Sequence, residues 1–182
     1  MELLLIIITP LALLVAYTGI SGAPWVPVRS FHVENLLDDA GVKTNTTYIE
    51  LGCGDGRLIK AAARRGARAV GYELNPLLWL VASVRCLGDS QAHIKFGNFW
   101  RVNLGNADVV MAFLVPRTMP RLAQKAGQEM KPNAILISYV FPIVGQVPLT
   151  KPTKQKHWYT YRPSRFNTID PTPLQGVSEG SV

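Results

Sequence analysis

Glycines at 52, 54 and 56, with Glu50 two positions before the first and Arg57 directly after the last, carry the strongest chemical pattern in the chain. A turn in which glycine alternates with other residues can adopt positive φ angles and bring bare backbone against a bulky ligand. A helix starting behind it offers N–H groups that have no partner within the helix. Dinucleotide-binding turns are spaced G-x-G-x-x-G, which would need glycine at position 57, and Arg57 stands there. Glu73 follows Gly52 by twenty-one positions. Ending a second strand at that interval, it could accept hydrogen bonds from both hydroxyls of a ribose. Further on, Gly97-Asn98-Phe99 sets an amide oxygen beside an aromatic ring, although Asn98 also suits a plain turn.

These residues need strands that stop where helices begin. Apolar, β-branched runs at Thr47 to Leu51, Ala69 to Tyr72, His93 to Phe96, Asp108 to Leu114 and Ala134 to Phe141 predict strands. Helices are predicted from Phe31 to Ala40, Arg57 to Arg65, Pro76 to Leu87 and Met119 to Met130. Gly41, Gly66 and Gly88 stop the first three, and Asn75 caps the third. Leu77, Leu80, Val81 and Val84 give that helix an apolar stripe, expected to face the sheet. Such alternation predicts an α/β, Rossmann-like, mostly parallel sheet flanked by helices. His157 to Arg162 would add an antiparallel strand.

Glu50 and the G-x-G-x-G spacing resemble motif I of class I methyltransferases that use S-adenosylmethionine (SAM). The chain from Gly22 to about Arg162 resembles a lysine methyltransferase family, which includes the enzymes of the mitochondrial ATP synthase c-subunit and the adenine nucleotide translocase. Matching runs are Pro24-Trp25-Val26-Pro27, Glu50 to Arg57, Gly71 to Pro76, Leu114-Val115-Pro116 and Phe141-Pro142-Ile143. The resemblance implies SAM as cofactor, with Glu50, Gly52, Gly54, Gly56 and Glu73 holding it. It also implies that Asn98 and Phe99 lie at the adenine, and that Trp25 and Pro27 cover the cofactor or substrate. The family usually has aspartate where Asn98 stands and a His-Asp pair where Tyr139-Val140 stand.

Residues Leu3 to Ile20 carry no charge, and as a helix they would cover about 27 Å, close to a bilayer's hydrocarbon thickness. All nineteen lysines and arginines follow, from Arg29 onward. This skew predicts a transmembrane anchor over 1–21, contact with membrane lipid, and a cytoplasmic domain. Residues 22–30 read as a Pro/Gly-rich connector, 31–162 as the methyltransferase domain and 163–182 as a disordered tail. The net charge of +7 permits an anionic partner. Nucleic acid is nonetheless disfavoured, because the position after the fourth strand reads Leu114-Val115-Pro116-Arg117 rather than an Asn/Asp-Pro-Pro-aromatic run. Cys53 and Cys86 read as reduced thiols, and His32, His93 and His157 as ordinary structural or surface residues with no metal-ligand spacing.

The function expected from the resemblance is lysine methylation of a protein, with a membrane-associated protein as substrate. No catalytic base is assigned. Methylation of RNA, lipid or a small molecule, and a non-catalytic SAM-binding module, are the alternatives.

Overall fold

The computed structural model describes residues 26–166, and positions 2 and 9 before them. Six strands, β1 (Thr47–Leu51), β2 (Arg68–Glu73), β3 (Ala92–Phe96), β4 (Val109–Ala112), β5 (Ile135–Tyr139) and β6 (Trp158–Tyr161), form one sheet in the order β3-β2-β1-β4-β5-β6. β1 pairs in parallel with β2 and β4, so that Glu50 lies opposite Gly71 on one side and Met111 on the other. β2 with β3 and β4 with β5 are parallel too, whereas β6 runs antiparallel to β5 with Trp158 opposite Tyr139. The order of connection reverses between β1 and β4. A crevice opens there, past the carboxyl ends of the strands, because the two connections leave in opposite directions.

Helices α1 (Ser30–Asp39), α2 (Arg57–Arg64) and α3 (Pro76–Arg85) cover one face, and α4 (Met119–Glu129) packs on the other. Alternation along β1 turns Tyr48 and Glu50 toward α1 and α2, while Ile49 and Leu51 face α4. Leu36, Leu37, Leu58 and Ile59 are buried in the first layer, and Ala62, Ala63 and Ala69 let α2 lie close on the strands. Val42 N–H donates to the Leu37 carbonyl and Gly41 N–H to Asp38, which closes α1. Asn75 caps α3 through Oδ1, accepting from the Leu77 and Leu78 N–H groups, with Pro76 in the first turn.

The apolar stripe of α3 faces outward, contrary to expectation. Leu80, Val81 and Val84 are 53%, 47% and 64% exposed, and Ala82 and Cys86 are buried in their place. A Cβ on Gly56 would lie 2.9 Å from the Ala82 Cβ, so α3 crosses the glycine turn too closely for a leucine at the contact. Periodicity marks the apolar face of a helix but not the size that its neighbour tolerates. Leu80→Gln and Val84→Gln are therefore expected to change stability by no more than about 0.5 kcal/mol. Ala82→Leu should cost about 1–3 kcal/mol in urea unfolding, and equal effects at all three positions would contradict this packing.

The membrane expectation needs correction. Among the described residues no helix is long and apolar enough to cross a membrane. α4, with eleven residues, covers only about 16 Å of the roughly 30 Å required. Single-pass localisation with a cytoplasmic domain therefore does not stand, and Leu3 to Ile20 and Trp25 lie outside the described residues. The expected disordered tail begins with order: Pro163–Arg165 form a 3-10 turn, and the Phe166 ring packs on Tyr161 at 5.8 Å. Residues 167–182 lie outside the described residues.

Candidate active site

The glycine turn leans on β2. The Gly52 and Cys53 N–H groups both donate to the Tyr72 carbonyl, at 2.9 and 3.0 Å. This close approach explains Gly71, where a Cβ would stand 2.7 Å from Cys53 Sγ. Gly52 and Gly56 have φ of 80° and 74°. At Gly56 a side chain would strike Ala82, whereas one at Gly52 would meet nothing within 4 Å. The Gly52 side of the turn thus faces the open crevice, and the Gly56 side is packed.

Three carboxyl groups surround the turn, each in a different environment. Glu73 is buried and accepts three backbone hydrogen bonds: Gly54 N–H on Oε2 at 2.9 Å, and Leu74 and Asn75 N–H on Oε1 at 2.9 and 2.8 Å. A carboxylate has about four acceptor positions, so room remains on the Oε2 side. Asp55 is buried and receives Arg57 Nε and both Arg57 NH2 and Arg85 NH2, the last two at 2.8 Å. Burial alone would raise its carboxyl, but the Arg57 hydrogen bond and the Arg57 and Arg85 charges hold it below the usual range. Glu50 Oε2 is buried without a hydrogen-bond partner among the described residues. Burial first, then the charges of Asp55 and Glu73, pushes the Glu50 carboxyl well above the usual range, against the pull of Arg57. Burial also pushes the Cys53 thiol up, which keeps it neutral and unreactive.

Arg57 carries the order of the turn outward. Its NH1 donates to the Val28 carbonyl at 2.9 Å, which fixes the connector beside the glycine turn. Val28 is buried and Pro27 is exposed. Asn98 Oδ1 accepts the Trp100 N–H at 3.0 Å, so the side chain caps the short turn Phe99–Arg101. Its second lone pair stays free for another donor. Phe99 is half-buried against Trp100, whose ring is covered by Arg121.

At the carboxyl ends of β4 and β5, Phe113 lies 4.9 Å from Tyr139 and 6.4 Å from Phe141, ring to ring. The Tyr139 hydroxyl meets His32 Nδ1 at 2.7 Å, which ties the start of α1 to β5. Val140 follows with φ of 69°, a left-handed conformation rare for a β-branched residue, and its N–H donates to the His157 carbonyl. His32 and His157, 125 positions apart, bring their rings to 4.7 Å.

Glu50, Gly52, Gly54, Gly56 and Glu73 thus converge at one turn, with Pro27 displaced to the surface of the adjoining connector. Sequence reasoning missed the Asp55–Arg57–Arg85 network and the pairing of His32 with Tyr139. The first had a local signal, an aspartate two residues before an arginine at a helix start. The second had none, since the partners meet only through the packing of α1 on the sheet.

The model of the ANTKMT methyltransferase domain matches residues 50–150. The chain is 35% identical over 128 residues to the ATP synthase c-subunit lysine N-methyltransferase of Xenopus laevis, a match covering 69% of this chain and 56% of that protein. It is also 35% identical to a protein-lysine N-methyltransferase of Saccharolobus islandicus, over 69% of this chain and 81% of that one. The chain spans about half the length of the ATP synthase enzymes that it matches, 49% of the mouse and 52% of the human protein. An RNA methyltransferase of Salinibacter ruber, solved with S-adenosyl-L-homocysteine, superposes with a TM-score of 0.70 at 25% identity, covering 83% of this chain and all of that one. The cofactor that goes with this family and fold is S-adenosylmethionine. The chain belongs to the ANTKMT methyltransferase-domain family and has the fold of SAM-dependent methyltransferases.

Proposed function

We propose that this chain is a protein-lysine N-methyltransferase that holds SAM in the crevice between β1 and β4. The observation that carries the reading is the meeting of Gly52, Glu73 and the unpartnered Glu50 oxygen at one switch point. These residues fit the cofactor: a buried acceptor without a partner suits its ammonium, Glu73 has acceptor capacity left for its ribose, and the Gly52 backbone admits its bulk. Asn98 and Phe99 stand at the end of β3 for the adenine, and Pro27 with Val28 borders the site through Arg57.

When bound, SAM supplies a methyl group on a cationic sulfur, which an amine displaces in line. The chain's own task is alignment and exclusion of water. Phe113 and Phe141, half-buried at the carboxyl ends of β4 and β5 with Tyr139 buried against Phe113, offer ring faces for a mouth that suits the aliphatic stem and cationic head of a lysine. In water, presenting the neutral amine at pH 7 costs about 4.6 kcal/mol, and a desolvated mouth lowers that cost. The chain needs no dedicated base in this scheme.

Transfer of radiolabelled methyl groups from SAM into protein, followed by hydrolysis, tests the reading. Label is expected in methyl-lysine and should fall at least about 100-fold in Gly54→Arg, because a side chain on this left-handed residue (φ 54°) disturbs the N–H that Glu73 holds. Label in RNA or lipid, or SAM binding without any transfer to protein, would replace the lysine reading.

A further inference from the structure

A second concave site lies beside the first, on the same edge of the sheet. It has a volume of about 400 Å³ and is lined by Arg29, His32, Asn35, Lys154, Gln155 and His157. The start of α1 forms one wall and the segment leading into β6 the other. Arg29 adjoins Val28, whose carbonyl is held by Arg57, so this pocket is one residue of connector away from the glycine turn.

The charged groups in the pocket are matched to negative charge. Arg29 and Lys154 line it without a salt bridge among the described residues, and no carboxylate is among the lining side chains. α1 begins there with no side-chain cap and no acidic residue in its first turn, so its N–H groups and dipole favour an anion. Most telling is His32, which is only 1% exposed and lines the pocket with a buried Nε2 that has no partner among the described residues. When the Tyr139 hydroxyl donates to His32 Nδ1, 2.7 Å away, that nitrogen carries no proton. That arrangement leaves the ring proton on Nε2, a buried donor. Burial, then the nearby His157 and Arg29 charges, holds His32 below the usual histidine range, consistent with a neutral ring. A buried donor without an acceptor is destabilising, and an incoming anion would offset that cost.

We infer that this pocket binds a carboxylate of the protein substrate, an acidic residue near the target lysine, and so sets substrate choice. The inference rests on the lysine-methyltransferase reading for its substrate and on the pocket alone for its anion. A single pocket with two cations and two amides fits one carboxylate better than a polyanion, which takes an extended basic stripe.

Two measurements on the full chain test this. In the first, acetate and inorganic phosphate are titrated while the histidine ring resonances are followed. Saturable shifts of His32 and His157 are expected at millimolar anion and should vanish in Arg29→Gln/Lys154→Gln. Absence of saturation overturns the pocket whether or not the enzyme transfers methyl groups. In the second, lysine peptides carrying one glutamate at each nearby position are compared with their glutamine counterparts. For one register KM should be about tenfold lower with glutamate, and the ratio should approach one in the double variant but persist in Lys43→Gln, a charge control away from the pocket. Equal KM values in every register overturn the substrate role, and methylation of glutamine peptides then shows that the lysine reading survives. If no peptide is methylated and RNA competes with phosphate instead, both the inference and the lysine reading fall.

Discussion

Replacing Glu73 by alanine is expected to weaken SAM binding about 100-fold and to lower the stability of the cofactor-free fold by about 3 kcal/mol. Both effects have one source. The carboxylate accepts the Gly54, Leu74 and Asn75 N–H groups, so it holds the glycine turn to β2 and shapes the start of α3 before any ligand arrives. Hydrogen bonds to a charged acceptor contribute about 1.5–3 kcal/mol each. The Leu74 and Asn75 N–H groups, on an exposed and a half-buried residue, can turn to water, so the net loss is about that of the Gly54 bond. Losing two ribose contacts corresponds to about two tenfold steps in affinity. Glu73→Gln separates the roles. Its amide oxygen can still serve Leu74 and Asn75, but its NH2 would then face the Gly54 N–H, donor against donor. Intermediate stability with affinity near that of alanine is expected. Calorimetric titration and urea unfolding measure the two quantities, and unchanged affinity in Glu73→Ala would remove Glu73 from the site.

The second large effect belongs to Glu50, and its sign depends on pH. Its folded-state pKa is raised, so the folded protein keeps this proton to higher pH than the unfolded chain does. The stability that Glu50 contributes is full below the unfolded value of about 4.3 and is lost as pH rises through the raised folded value. Glu50→Gln cannot ionise. Relative to wild type it should gain stability steadily as pH rises through that window. Its SAM affinity should move the other way, dropping about thirtyfold at neutral pH, because a charged partner for the ammonium is worth about 2 kcal/mol. Wild-type affinity should also climb with pH more steeply than that of the variant, since the bound cation draws the proton off. Parallel pH profiles for the two proteins would mean that the orphaned Glu50 oxygen does not meet the ammonium.

The sheet was legible because β1 to β5 are short apolar runs, with glycine directly after β1 and β3, and α3 because Asn75-Pro76 writes a cap into the sequence. The glycine turn and Glu73 were legible for the same reason: their roles follow from local backbone needs at fixed spacing. What stayed hidden depends on tertiary approach. Ala82 against Gly56 decides which way α3 turns, and no periodicity encodes that distance. Asn98 was ambiguous and remains so chemically, since capping Trp100 uses one lone pair and leaves another. Tyr139 shows in the sequence only as a departure from the family pattern, whereas its hydroxyl links α1, β5 and His32. The anchor expected over Leu3 to Ile20 rested on the length of an uncharged run and on the charge skew after it, and no described helix is long and apolar enough to cross a membrane.

Val140 carries a consequence for how this rim tolerates change. A branched side chain held in a left-handed backbone sits about 1–2 kcal/mol above a relaxed one, and the bond from its N–H to His157 helps to keep it there. Asparagine, aspartate or glycine would occupy the same angle with less tension. The rim between β5 and β6 therefore keeps a shape suited to a short polar residue even though valine fills it, and evolution could place such a residue there in one step without rebuilding the loop.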